Sequence, residues 1–494
     1  MILHIAKKEI HHNLTTLRFA LMIILLPLLM IANALIYGYG DDGYITRVNA
    51  YNKQIEKKLS HVETYAAQGL GELAVIGPGD MPKRPSPLKF SANGADEVIP
   101  RYVIMQEYGY ASRSDRSGEF EAYAWKGPWT LRYPLNSFDE GSATRGIKID
   151  WVFIGVLMSF FAILFTFDAV AGERSSGTLS LMMSNTVSRS QVLLGKSVGA
   201  FLTLMVPLVI GILMNLLLIQ LSGSLSFDSG TSLRILGMIG LFGLLISAFI
   251  FVGLFFSSRV SNAITSLVWL LLTWVFLAFV FPNLLGIFVG NLNPIPSVDE
   301  VSLRRDAQLK QISEQFQPWG AYGPWDVSGE PSSKLNEAPS TENPSATRQW
   351  ATYFTTQKGI ETKSLDEHID KQFRQVQLAR DLTQISPIAT FQYAMEGLAN
   401  TGIVSYMNFV KQARRYRQTF IDFIKTEDRS DPESLHIYPV KEGLSQKPVD
   451  PDAVPVFEEQ IFYRSVLSQV GLLVLFNLLF FIVAQVSFLM SEIK

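Results

Sequence analysis

Six stretches of this chain lose every charge for about twenty residues at a time, and that loss limits what the chain can become. They run from Phe19 to Tyr37, Trp151 to Phe167, Val198 to Leu221, Ile235 to Phe256, Ala263 to Phe281 and Val466 to Met490. A helix of about twenty residues rises about 30 Å, which is the thickness of a bilayer's hydrocarbon core. Each stretch is rich in Leu, Ile, Phe and Val and lacks the alternation of a strand. Helix is also the one conformer of a lone segment that satisfies its backbone groups within lipid. Of the 494 residues, 48% are hydrophobic and 17% charged, a balance that fits membrane spans better than a string of soluble domains. The predicted fold class is an α-helical polytopic membrane protein with six transmembrane helices.

Sidedness follows from the short connections. Lys7, Lys8 and Arg18 precede the first stretch, and Arg174, Arg189 and Lys196 lie between the second and third. Arg259 lies between the fourth and fifth, and Lys494 follows the last. The connection Ser222 to Ser232 carries only Asp228. The positive-inside rule therefore places the N and C termini and the 172–197 loop in the cytoplasm. Two long polar segments, 39–149 and 283–464, fall outside. Their basic residues weigh little, because long segments cross largely regardless of charge. Ala32-Asn33-Ala34 resembles a signal-peptidase site, but the long patterned region before it favours a retained anchor over 19–38.

The chain has no cysteine, so the external segments must hold together by packing alone. A net charge of −2 without a basic excess offers no footprint for nucleic acid. Residues 1–18 set Leu3, Ala6, Ile10, Leu14 and Leu17 at steps of three and four, the pattern of an amphipathic interfacial helix on the cytoplasmic membrane surface. His11-His12 point apart on such a helix, which fits a solvated role better than a metal site.

The 39–149 segment reads as an α+β domain. A helix is expected over Tyr44–Gln68, then a Pro/Gly-rich loop from Gly77 to Pro87, then strand-like runs holding Trp125 and Trp129. The 283–464 segment reads as mainly helical with flexible loops, its helices near Asp299–Phe316, Ser364–Gln384 and Val404–Lys425. The cluster Glu361, Asp366, Glu367, His368 and Asp370 scatters around a helix and is expected to be a solvated face. Between these helices Ser386 can cap and Pro387 can open a further apolar helix, with Gly402 available to close it near the outer membrane surface.

The run GERSSGTLSLMMSNTVSRSQVLLGKSVG, Gly172 to Gly199, joins the second and third stretches. Gly195-Lys196-Ser197 is the tail of a phosphate-binding loop, yet the glycine required five residues earlier is Ser190. Ser188 and Gln191 form a capping box instead, so Lys196 falls inside a helix and nucleotide binding by this chain is not expected. What remains is a short helix over Gly177–Ser184. Leu179, Met182 and Met183 lie on one side of it, Ser175 or Ser176 can cap it, and Glu173 and Arg174 flank its entry. Adaptable Met side chains suit a partner's shallow groove, and a loop resting on lipid fits the same pattern. Asp168, the only acid read within a span, sits at its cytoplasmic end and is assigned to the same region. Asn215, Gln220, Gln469, Asn477 and Gln485 are suited to interhelical hydrogen bonds, and Gly195-x-x-x-Gly199 permits close helix approach.

This run resembles the segment after the second span of type-2 ATP-binding-cassette (ABC) permeases, in the subset with large extracytoplasmic domains. Gly172, Glu173, Arg174, Gly177, Thr178, Leu179, Val187, Ser188, Arg189, Gly195 and Lys196 stand where that family's motif has them, with Thr186 where a proline is common. The resemblance implies a multi-pass subunit of a bacterial plasma (inner) membrane that is not itself an enzyme. It implies a second permease subunit, identical or homologous, and two separate ABC ATPase subunits that hold ATP and Mg. It also implies a coupling contact made by Glu173, Arg174, Gly177, Thr178, Leu179, Met182 and Met183. On this reading the chain is the permease of an ATP-driven exporter, or transmits work to an extracytoplasmic partner protein. The alternative is a non-transporting receptor or scaffold with ligand-binding external domains.

Overall fold

The computed structural model describes residues 1–40, 43–94, 99–106, 110–113, 120–124, 130–132, 149–184, 187–316, 344–430, 448–461 and 466–491. Trp125, Trp129 and most of the Pro-rich loop after Phe316 lie outside the described residues. The chain is mostly helical. Helix α1 (Ile2–Leu14) is followed by α2 (Leu17–Tyr39), whose Thr16 cap accepts from the Phe19 N–H. Helix α3 (Tyr44–Gln68) then leads to α4 (Leu70–Ile76). The break between them is Gly69, whose φ of 124° lies where side chains are rarely tolerated.

Five short strands follow: β1 (Met81–Pro82), β2 (Tyr102–Gln106), β3 (Tyr110–Arg113), β4 (Phe120–Ala124) and β5 (Thr130–Arg132). All pair antiparallel, as a three-stranded sheet β1-β2-β5 and a hairpin β3-β4. The register sets Met81 opposite Val103, Met105 opposite Leu131, and Tyr110 opposite Ala124.

Helix α5 (Trp151–Leu164) starts at an Asp150 cap and ends earlier than its apolar window, because Phe165–Val170 form turns. Its 14 residues rise about 21 Å. Short α6 (Ala171–Ser175) and α7 (Thr178–Met183) lead to α8 (Arg189–Leu221), which opens with the expected Ser188–Gln191 capping box. Helix α9 (Ser229–Arg259) is capped by Asp228, and α10 (Ala263–Val275) by Asn262. A π-helical turn at Phe276–Val280 joins α10 to α11 (Phe281–Leu292). Helices α12 (Val298–Phe316), α13 (Pro344–Thr383), α14 (Pro387–Ala399) and α15 (Gly402–Ser430) precede α16 (Leu467–Met490). Five of these helical stretches, beginning at Leu17, Arg189, Ser229, Ala263 and Leu467, are long and apolar enough to cross a bilayer, and α5 is a shorter apolar helix beside them.

One apolar core fills the bundle of α2, α5, α8, α9 and α16. Asn215, Asn477 and Gln485 of this core make hydrogen bonds between helices, although Gln485 Oε1 is buried without a partner among the described residues. Asn215 donates to the Met30 carbonyl (2.7 Å) and to Asn33 Oδ1 (2.8 Å), while the Trp151 indole donates to Asn215 Oδ1 (3.1 Å). Asn477 likewise bonds across to α9, and Gln485 to Ser190 of α8.

Helix α14 enters this core. Ser386 caps it and also donates to the Leu277 carbonyl in the π-helical turn (2.7 Å). Phe391 is fully buried against Gly155, where any added Cβ would meet its ring, and against Phe242 at 5.1 Å between centroids. The helix is closed by Asn400 at φ 51°, not by Gly402, because Asn is among the few non-glycine residues that tolerate the left-handed region. Gly402, at φ 75°, starts α15 instead.

Residues from both long polar segments meet in a second apolar core. Val62, Ala66 and Leu73 pack there with Phe373, Phe409, Phe420 and Phe457. The acidic cluster of α13 is held by basic residues: Arg414 pairs with Asp370 (2.7 Å) and Asp366 (3.3 Å), and Arg417 with Asp366 (3.3 Å).

Candidate functional site

At the α1 end of the bundle, the loop between α5 and α8 is tied down by charge. The Arg18 guanidinium, just inside α2, grips the Asp168 carboxylate through Nη2 at 2.8 Å and Nη1 at 3.2 Å. It also donates to the Leu164 carbonyl (2.8 Å), freed where α5 ends, and lies 4.4 Å over the Phe167 ring. The planar guanidinium meets both carboxylate oxygens with two N–H groups and still reaches the carbonyl, a bidentate fork that a lysine's compact ammonium lacks. Two residues on, the Val170 and Ala171 N–H groups donate to the Ser257 hydroxyl (2.9 and 3.1 Å). Ser257 belongs to α9, so α6 is capped from another helix. Arg174 then donates to the Ser258 carbonyl (3.1 Å).

Glu173 faces inward. Its Oε1 is 3.1 Å from Lys196 Nζ and 3.6 Å from Lys8 Nζ. Lys196 also meets Glu9 Oε2 at 3.1 Å, and its side chain is 2% exposed. One buried ammonium therefore holds two carboxylates from two other helices, which offsets part of their desolvation, while Glu173 Oε2 is buried without a hydrogen-bond partner among the described residues. Lys196 can sit there because α1 lies directly on α8. A Cβ on Gly195 would come within 2.7 Å of Ile5 Cβ, and one on Gly199 within 2.7 Å of Glu9 Cβ. The Gly195-x-x-x-Gly199 pair thus admits the interfacial helix rather than another span. Helix α1 turns Ala6, Glu9 and Asn13 toward α8 and leaves Leu3 and Leu14 exposed on its apolar stripe.

The remaining expected contact residues divide by exposure. Gly177 takes φ 72° between α6 and α7, with open space around it. Thr178 is exposed and donates to the Glu173 carbonyl (3.3 Å). Leu179 is buried, and Met182 and Met183 pack partly buried against the main core. The outward apolar side chain of α7 is Leu181, at 69% exposure. Beyond the loop, Arg189 Nη1 donates to the carbonyls of Phe488 (3.2 Å), Leu489 (2.6 Å) and Ser491 (3.0 Å), capping the end of α16.

Glu9, Lys196, Ser257 and Leu181 were not among the expected contact residues. Glu9 had a signal: it is the one acid in residues 1–18. A lone acid on the face that steps from Ala6 to Asn13 calls for a buried cation.

The family model for ABC-2 family transporter protein matches residues 3–493. The chain belongs to the ABC-2 family. This ABC-2 protein is also 44% identical over 55 residues to the probable ABC transporter permease protein NosY of Stutzerimonas stutzeri. That match covers 11% of the ABC-2 chain and 20% of the relative, so it spans a fifth of NosY's own length. Membership of a transporter family agrees with the five helical stretches that are long and apolar enough to cross a bilayer.

Proposed function

We propose that this chain is the transmembrane permease subunit of an ATP-driven ABC exporter in a bacterial plasma membrane. It pairs with a second permease, identical or homologous, and two separate ATPase subunits bind its cytoplasmic face at α6 and α7. ATP closes the ATPase dimer, and the motion pushes on the 172–197 loop. The observation that carries this reading is the Lys196–Glu9–Glu173 cluster, with Lys196 at 3.1 Å from each carboxylate. It makes α6 continuous with α8 and α1, so a push on the loop is passed to a helix of 33 residues instead of being absorbed by bending. Arg18–Asp168 ties the same loop to α2. The external segments are the parts on which transported material or a partner protein would act.

Reconstitution tests this. The chain, purified with its cognate ATPase, is expected to stimulate ATP hydrolysis. Glu173→Ala is expected to uncouple hydrolysis from transport while the protein still inserts. A chain that recruits no ATPase, or a Glu173→Ala complex that transports normally, removes the coupling role from this loop.

A further inference from the structure

Helix α3 carries Tyr44, Val48, Tyr51, Ile55 and Leu59 at steps of three and four, on a helix whose other faces expose Lys53, Glu56, Lys57 and Glu63. A groove of about 440 Å³ runs along that stripe. Arg84 and Pro85, from the Pro-rich loop, and Val456–Glu458 form its other wall. Its volume lies in the range of small-molecule sites, about 300–1,000 Å³.

One end of the groove meets the apolar helix α2. The Tyr44 ring stacks on Tyr37, 5.9 Å between centroids, and Tyr37 belongs to the apolar helix α2. The Tyr37 hydroxyl donates to the Pro87 carbonyl (2.6 Å), so the loop that walls the groove also touches the span. Tyrosines at this level mark the membrane–water interface. From Tyr44 to Leu59 the stripe climbs about 22 Å, more than the roughly 15 Å of hydrocarbon in one leaflet. Its polar members gather beside Tyr51. Burial pushes the Tyr51 phenol up, Arg84 opposes this, and Glu459 and Glu458 add to it, so both signs of charge lie within reach of that ring. A narrow apolar trough that opens at a bilayer surface, with both signs of charge midway, suits one chain of a zwitterionic amphiphile.

We propose that this groove binds an acyl chain of an outer-leaflet phospholipid drawn up from the membrane along α3. The site rests on α2 spanning the bilayer and on the sidedness proposed above. It does not depend on ATPase coupling, so its failure would leave that reading intact.

The full-length protein in phosphatidylethanolamine/phosphatidylglycerol vesicles, doped with a phosphatidylethanolamine bearing a photoreactive diazirine in its acyl chain, tests it. Photolysis followed by peptide mapping is expected to place adducts on 44–59 and 456–458 as well as on the spans. Ile55→Trp, which fills the groove at a half-buried position, is expected to lower the groove adducts at least fivefold and leave the span adducts unchanged. Arg84→Gln, at an exposed position, serves if Ile55→Trp fails to fold, with about a twofold loss expected. Labelled spans without groove adducts in the wild type would overturn the proposal. So would groove labelling that neither substitution lowers.

Discussion

Two lysines of this protein are almost equally buried and live in opposite surroundings. Lys196 is 2% exposed and has two carboxylates at 3.1 Å. Lys58, in α3, is 4% exposed and has no hydrogen-bond partner among the described residues. Its ammonium faces the rings of Tyr416 (4.8 Å) and Phe457 (5.3 Å). Aromatic faces attract a cation by about 0.5–2 kcal/mol, which does not replace its hydration. The first lysine therefore fastens separate helices together. The second is a weak point in a core that packing must hold against it. On the proposed reading, a joint that transmits force can be charged where its charges are matched. The second core tolerates a mismatched charge because Phe409, Phe420 and their neighbours supply the stability.

The largest expected effect breaks the matched site. Lys196→Met would leave Glu9 without its ammonium and Glu173 with the exposed Lys8 at 3.6 Å, and removing one member of a buried pair costs about 3–5 kcal/mol. A fall of the thermal midpoint in detergent would register it. Lys196→Met combined with Glu9→Gln and Glu173→Gln should recover most of that loss. A single substitution as mild as an exposed one would mean that the three groups are solvated and do not act as a joint.

Next comes the mismatched site, where the sign reverses. Burial lowers the Lys58 ammonium from 10.5 to about 7, with Asp80 opposing the shift. Below about pH 7 both folded and unfolded chains hold the proton, and the full penalty of the buried charge is present. Between about 7 and 10.5 the unfolded chain binds more protons than the folded one, so stability gained from this group rises with pH. Lys58→Met should therefore unfold at a higher temperature than wild type at pH 7, with the gap closing as pH approaches 10. A gap that is constant with pH would show that Lys58 keeps its ordinary protonation.

The contrast also separates what the sequence could reveal from what it could not. The Tyr44–Gln68 helix, the Ser188–Gln191 capping box and the Ser386-Pro387 helix start were legible, because each is written within a few neighbouring residues. Apolar windows located the long helices for the same reason, and missed the early end of α5 because turns at its close are as apolar as the helix. Glu9 and Lys196 lie 187 residues apart, and Arg18 and Asp168 lie 150 apart. No local pattern links such pairs. Periodicity gave α1 its apolar stripe but could not say that Leu3 and Leu14 of that stripe stay exposed while its Ala6, with Glu9 and Asn13, turns to α8. It likewise grouped Leu179, Met182 and Met183 correctly on one side, without showing that this side packs on the protein's own core.

The third expected effect is smaller and sharpens the reading of Lys196. Asn215→Leu strips partners from the Trp151 indole, Asn33 and the Met30 carbonyl, a neutral joint that ties α8 to α5 and α2. The Asn33 amide keeps its bonds to the Phe90 and Ile149 carbonyls, so the loss centres on the Trp151 indole, and leaving one such buried group unsatisfied costs about 1–3 kcal/mol. Its midpoint shift should fall below that of Lys196→Met. Equal shifts would mean that charge adds nothing to the inner joint beyond ordinary hydrogen bonding.

The smallest effect on stability is expected at Leu181, and it is the one that separates holding the loop from being pushed. Leu181 is 69% exposed on α7, opposite the side that packs inward, so Leu181→Asp should change stability by no more than about 0.5 kcal/mol. An aspartate there would still meet any apolar groove on an ATPase with an unpaired charge, which is costly to bury. The variant should therefore insert and melt like wild type while losing stimulation of its ATPase. Lys196→Met reverses the pattern, since it weakens the joint behind a docking surface left intact. If Leu181→Asp coupled normally, docking would have to reside on other exposed positions of the loop such as Thr178 or Ser180, and the inward-packed Met182 and Met183 would serve the fold alone.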